Sequence, residues 1–181
     1  MKVDVRGVAG AVERPIEPER DRLADTWANF DDFYARERPG LVALAYALCG
    51  STGSAEDVVQ DAFLDALARW DRLAHPSAWI RRVIANKSVS LFRRRATEAR
   101  HLLLGVAPGT DPEPELHREV SELWVEVRKL PKRQAQTVAL RYIDGARISE
   151  IAEILGVSDE TVKTHLKRAK QTLVHHREDL S

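Results

Sequence analysis

The chain has 181 residues, 44% of them apolar and 6% aromatic, with 28 basic and 28 acidic side chains and hence a formal net charge of zero. That length admits one mid-sized domain or two small ones with packed cores, and the single cysteine excludes an intrachain disulfide and the common zinc-finger ligand sets. No apolar run approaches the roughly 20 residues of a bilayer span and no signal-peptide core opens the chain, so a cytoplasmic protein without membrane insertion is expected. The neutral total conceals segregation: residues 30–74 carry net −4, residues 75–101 net +6, residues 102–128 net −4 and residues 129–181 net +3. With a Debye length of about 8 Å in physiological salt, each block presents its own field. Two separate anionic contacts are implied, and a basic partner for the acidic surface.

Residues 1–26 mix charge, glycine and proline (RGVAG, ERPIEPER) without a sustained apolar face and read as a mobile extension. From about Trp27 to Cys49, the residues Phe30, Phe33, Tyr34, Leu41, Leu44, Ala45 and Leu48 follow a helical period, with a bend expected at Pro39-Gly40 and a stop at Gly50. Cys49 ends the apolar run LVALAYALC and is expected to be a buried free thiol, which fits a reducing compartment. Ser51 to Gly53 reads as a turn, and Ser54 as the N-cap of a second helix with Asp57 in the capping-box position and Val59, Phe63, Leu67 and Trp70 on the buried face. Pro76 opens a third helix whose apolar stripe is Trp79, Ile80, Val83, Ile84 and Leu91, ending near Arg95.

The stretch GVAPGTDPEP has little to bury and marks a boundary. Beyond it, Leu116, Val120, Leu123, Trp124 and Val127 are spaced for a helix, Pro131 starts another that runs to Tyr142, and Gly145 breaks it. No segment alternates apolar and polar residues over a strand's length, so the expected fold is all-α: two small helical domains, a three-helix unit (27–96) and a helix-turn-helix unit (116–181), joined by a flexible linker (97–115). Units of about 60 to 70 residues are each marginally stable alone.

Three surfaces carry chemistry. On the second helix Asp57, Asp61 and Asp65 recur every four residues beside Gln60 and Leu64, either a docking surface for a basic helix or coiled coil or a plain solvated face. On the third helix Arg82, Asn86, Ser90 and Arg93 share a stripe bracketed by Arg81, Lys87, Arg94 and Arg95, and residues 75–97 hold no acid at all. A solvated helix interleaves acids with its bases, so the absence favours nucleic acid, with Arg and Lys on phosphates and Asn86 on a base edge. Trp79 fits a stacking platform or, on the apolar stripe, the core.

The third surface is ISEIAEILGVSDETVKTHLKR. Ala152 stands where two helices cross closely, Gly156 where the first must end in a left-handed residue, and Ser158 as the N-cap of the next. Val162, Leu166, Ala169 and Leu173 are its apolar face, leaving Glu160, Thr161, Lys163, Thr164, Lys167, Arg168 and Lys170 outward. That is the pattern of a helix-turn-helix reading a major groove, set against a helical hairpin with a solvated basic face. No catalytic or metal constellation stands up: His165, His175 and His176 lack ligand-type partners at matching spacing, and phosphate-cradling glycine loops and nucleophile elbows are absent. Neither enzyme activity nor a cofactor is expected.

The segments AEDVVQDAFLDALARW, HPSAWIRRVIANKSVSLFRRR and LPKRQAQTVALRYIDGARISEIAEILGVSDETVKTHLKRAKQTL, in this order, resemble the extracytoplasmic-function sigma factors of bacterial RNA polymerase. The resemblance implies that Asp57, Gln60, Asp61 and Leu64 bind the coiled coil of the largest polymerase subunit. It implies further that Arg82, Asn86, Lys87, Ser90, Arg93 and Arg94 hold the melted −10 element, and that Glu160, Thr161, Lys163, Thr164, Lys167 and Arg168 read the −35 element. Core RNA polymerase, promoter DNA and an anti-sigma protein are the implied partners, and the acids Asp111, Glu113 and Glu115 fit a linker path otherwise taken by nucleic acid. Two departures stand out: Ser90 replaces a frequent aspartate, and Glu160 a frequent glycine. The SDETVKTHL opening also resembles response-regulator output domains, so the alternative is a stand-alone regulator binding duplex DNA as a dimer.

Overall fold

The computed structural model describes residues 19–102 and 115–178, with side chains over 29–98 and 122–175. Its helices are α1 (Glu19–Cys49), α2 (Thr52–Leu67), α3 (Pro76–Leu102), α4 (Glu115–Lys129), α5 (Lys132–Tyr142), α6 (Ile148–Leu155) and α7 (Asp159–Glu178), with a single 3-10 turn at Trp70–Arg72. The all-α expectation holds, and no strand occurs among the described residues. Residues 1–18 and 103–114, with the linker acids Asp111 and Glu113, lie outside them.

Helix α1 starts earlier than its apolar period suggested, inside the stretch read as a mobile extension. Pro18 precedes a run of Glu, Arg, Asp, Leu and Ala with no residue that resists helix, so backbone propensity carries the element past its apolar face. It also continues through Pro39, which lies on the exposed side together with Ala35, the residue whose carbonyl loses its donor; water can serve that carbonyl. The stop at Gly50 is as expected: φ is 77° and its N–H returns to the Tyr46 carbonyl at 2.8 Å.

The N-cap of α2 is Ser51, whose hydroxyl accepts from the Ser54 N–H, so the expected turn is a cap and the first helical turn. Ser54 is instead buried and pairs with the Ser51 hydroxyl. Asp57 thereby falls in the second turn, beyond a capping-box position. Helix α3 opens at Pro76 as read but extends past Arg95 to Leu102, since no glycine or proline stands in between.

Helices α1, α2 and α3 pack on one another, with Leu41, Leu44, Leu48, Val59, Ile80 and Ile84 almost wholly buried. Phe30, Phe33, Tyr34, Phe63 and Trp70 add an aromatic cluster with centroids 4.6–6.1 Å apart, in mostly edge or tilted arrangements that suit the ring quadrupoles. Tyr34 nevertheless keeps 39% of its surface exposed. Trp79 sits against the core with the Arg69 guanidinium 5.2 Å from its ring centre, which favours its core reading. Cys49 is buried and free, its thiol pushed up by desolvation, as the apolar run suggested.

Helix α5 departs most from a reading of its residues. Ala135 to Leu140 are buried without a break, including the polar Gln136 and Thr137. An amphipathic helix at the surface would leave every third or fourth position wet. This one is packed against α1, α3, α4, α6 and α7 together.

Candidate nucleic-acid and polymerase interfaces

In the helix-turn-helix, α6 ends in a Schellman motif: Gly156 has φ 66°, its N–H reaches Glu153 at 3.3 Å, and the Val157 N–H reaches Ala152 at 3.0 Å. A side chain at Gly156 would face both a left-handed backbone and the Arg82 guanidinium, which lies where its Cβ would be built. The Ser158 hydroxyl accepts from the Thr161 N–H at 3.2 Å, capping α7 as read. Ser158→Ala is expected to destabilise this unit by about 1 kcal/mol, seen as a lower urea midpoint at unchanged m-value.

Val162 and Ala169 are fully buried, with Leu166 and Leu173 packed against the core. Glu160, Lys163, Lys167 and Arg168 are exposed; Thr161 and Thr164 are half-buried, Thr161 within reach of the Ser158 hydroxyl at 2.9 Å. Lys163 approaches Glu160 at 3.5 Å, an exposed pair that DNA phosphate could displace. His165 has a buried Nδ1 without a partner, and burial with nearby Arg168 and Arg133 pushes its pKa down. His175 is exposed, and the His176 side chain lies outside the described residues.

On α2, Asp57, Gln60, Asp61 and Leu64 are all exposed and share one side, with Leu64 at 58%. An apolar residue left wet amid carboxylates suits a partner that brings both apolar and basic groups. Asp65 is half-buried and paired with Lys87 at 3.0 Å, while Asp61 lies 3.8 Å from the same ammonium.

The basic block on α3 is dispersed by the fold. Arg82 donates to the Ile154 carbonyl at 2.7 Å, Arg93 to the Leu130 carbonyl at 3.3 Å, and Asn86 Oδ1 accepts from the Gln136 amide at 2.9 Å. These three share one face of α3, and their partners run from Leu130, just after α4, to Ile154 in α6. Ser90, also on that stripe, is exposed. Of the bracketing bases, Arg81 turns inward between Glu37 (2.8 Å) and Asp144 (2.8 Å), Lys87 turns to Asp61 and Asp65, Arg94 pairs with Glu98 at 3.2 Å, and Arg95 donates to the Ser54 hydroxyl. Burial depresses the Arg81 guanidinium, but the bonds to Asp144 and Glu37 outweigh it and hold its pKa above the usual value.

Reading the residues alone missed Gln136 and Asp144, the partners of Asn86 and Arg81. Neither stands in a motif that the sequence singles out: Gln136 lies within the helix from Pro131 to Tyr142, and Asp144 just before Gly145. A run of six buried residues in a helix of low hydropathy is visible only once both neighbours are in place. Among the described residues no group of His, Cys, Asp and Glu could hold a metal, and no helix is long and apolar enough to cross a membrane.

A capped α7 with a polar outward face, following α6 through a left-handed Gly156, beside a helical bundle that bears an exposed acidic stripe, is the architecture of a helix-turn-helix protein with a second helical module. Residues 33–98 match the sigma-70 region 2 family and residues 121–173 the sigma-70 region 4 family. The chain is 28% identical to SigW, an extracytoplasmic-function sigma factor of Bacillus subtilis, over 93% of this chain and 98% of that one. It is 30% identical to EcfG of Rhodopseudomonas palustris over 75% and 77% respectively. The match to RfaY of Xanthomonas campestris, a probable RNA polymerase sigma factor, covers only 36% of that longer protein. The fold is similar to that of CnrH, solved in complex with the cytosolic domain of CnrY, with a TM-score of 0.66 over 90% of this chain and 98% of that one at 23% identity. The chain belongs to the extracytoplasmic-function sigma factors of the sigma-70 family. It is an alternative sigma factor, acting with core RNA polymerase and promoter DNA in transcription initiation.

Proposed function

We propose that the two helical units divide this work: α2 and α3 form the polymerase-binding and strand-opening domain, and α4–α7 the upstream-reading domain. In this reading Asp57, Gln60, Asp61 and Leu64 hold a basic coiled coil of core polymerase. Arg82, Asn86, Lys87, Ser90, Arg93 and Arg94 hold the −10 strand, and Glu160, Thr161, Lys163, Thr164, Lys167 and Arg168 read the −35 duplex. The observation that carries it is the exposure of the α2 stripe with Leu64 in its middle, which a plain solvated helix does not need. The protein supplies no chemistry of its own and works in the cytoplasm, where polymerase is. An anti-sigma protein is its expected antagonist, as the anti-sigma factor NepR is found in complex with the sigma factor RpoE from Bartonella quintana.

Mixing the chain with core polymerase tests the assignment: co-elution and promoter-directed transcripts are expected, and their absence overturns it. Alanine at both Lys163 and Thr164 is expected to change which promoters are used, each lost base contact altering discrimination by about 1–3 kcal/mol. Polymerase binding should be unchanged in that variant. Its loss would mean that α7 serves polymerase rather than the −35 element.

A further inference from the structure

We propose that His165, with Arg133 and Arg168, forms a seat for a backbone phosphate of duplex DNA beside α7, and that the imidazole takes up a proton as that phosphate arrives. The proposal rests on the reading of α7 as the helix that enters the −35 duplex, and it adds a contact outside the set assigned to that helix.

Position comes first. At about 100° per residue, His165 stands about 60° around α7 from the wholly buried Val162, and Arg168 about 60° beyond it in the same direction. His165 is half-buried and Arg168 exposed, so the two line one flank of the helix, between its core side and its outward side. A helix lying in a major groove has a sugar–phosphate strand along each flank, while its outermost residues meet base edges. Helix α5 packs against α7, and its exposed Arg133 is near enough to act electrostatically on the His165 ring, as Arg168 is. Lys167 and Lys170, both exposed, continue the basic surface along α7, which suits a polyanion rather than a single anion.

The chemistry at the ring is unfinished. Nδ1 of His165 is sealed from solvent and has no hydrogen-bond partner. A half-turn of the ring about Cβ–Cγ puts a carbon in that place and the nitrogen on the opposite edge, and no hydrogen bond of Nδ1 is broken in doing so. Two charged groups act on the ring, and both are cations: Arg168 on its own helix and Arg133 on α5. Helices α4 and α6 also pack on α7, yet among the described residues neither they nor any acidic side chain supplies a charge that acts on it. Desolvation first, and then these two guanidinium groups, hold the imidazole neutral in the free chain, its pKa below the ordinary value. A phosphate placed among the three groups reverses that field, since it pairs with the guanidinium groups and favours the charged imidazole. The pKa is then higher in the complex than in the free chain. The added affinity is therefore fully present below the free-chain pKa and is lost as pH rises through that of the complex. A rise of about one unit, the lower end of what a neighbouring opposite charge produces, tightens binding about tenfold.

The test titrates the full-length chain with a short labelled duplex of mixed sequence, at constant salt, between about pH 8 and about pH 5.5, the range in which imidazoles change charge. The wild type is expected to bind about tenfold more tightly at the acidic end. His165→Asn should match the wild type at the basic end and lose that gain. His165→Arg should bind tightly throughout, with a log affinity against log salt slope at the basic end steeper by about −0.9, the equivalent of one added phosphate contact. His175→Asn, exposed further along the same helix, should keep the gain. Circular dichroism checks that each variant is folded, and nuclear magnetic resonance of the His165 ring in the wild type reads the proton directly, its pKa rising when duplex is added. A ring pKa unmoved by bound duplex, or a His165→Asn variant with the wild-type pH dependence, overturns the seat. Failure of the underlying reading is told apart in the holoenzyme: alanine at both Lys163 and Thr164 then leaves promoter choice unchanged, whereas if the seat alone fails that variant still changes it.

Discussion

Leu44→Ala is expected to lower the unfolding free energy by about 2–5 kcal/mol, read as a drop in the urea midpoint. Leu44 is wholly buried in α1, a helix that packs against α2 and α3. Deleting three carbons there removes the transfer free energy of the buried side chain and leaves a cavity that packed helices close only in part. Total stabilities of single domains are about 5–15 kcal/mol, so the loss is a large share of what holds the protein together. The same chemical change at Leu64, 58% exposed on α2, should move stability by less than about 0.5 kcal/mol. Equal effects at the two positions would mean that the α2 stripe is buried in solution by a partner or a second copy.

Asp61→Arg is expected to abolish co-elution with core polymerase, weakening binding by about a hundredfold or more. The estimate follows from like-charge juxtaposition across an interface, which costs several kcal/mol when a basic partner surface meets an introduced cation. The fold should survive. Asp61 is exposed, and its neighbour Lys87 keeps the closer Asp65 carboxylate at 3.0 Å when Asp61 is gone. A melting temperature within a few degrees of wild type, together with retained binding of upstream duplex by α7, separates a lost interface from a lost fold. Unchanged polymerase binding would return the acidic stripe to the plain solvated face that its residues alone also allow.

Helix positions were largely legible because apolar period and punctuation agree. Gly50, Pro76, Pro131, Gly145, Gly156 and Ser158 all act where their backbone chemistry places them. Reading failed where two signals competed. Ser54 reads as the α2 cap, with an acid at the capping-box spacing after a turn from Ser51 to Gly53, yet the hydroxyl that receives the N–H belongs to Ser51. The extended starts and ends of α1 and α3 were missed because apolar period measures which face is buried, whereas helix continues wherever no residue stops it.

The candidate surfaces divide in the same way. The outward face of α7 and the stripe on α2 are properties of single helices, since a 3.6-residue period decides which side chains remain when the apolar face is buried. A single sequence therefore determines them. What α3 does with its basic block depends on three neighbours at once: Glu37 from α1, Asp61 and Asp65 from α2, and Asp144, Gln136 and Ile154 from the second unit. The sequence by itself determined an all-helical chain with a recognition helix, an acidic stripe and an acid-free basic helix. Only the tertiary structure decided that the face carrying Arg82, Asn86 and Arg93 lies against Leu130 to Ile154. Hydrogen-bond partners far apart in the chain leave no periodic trace along it, and a buried glutamine has the same letter as a wet one.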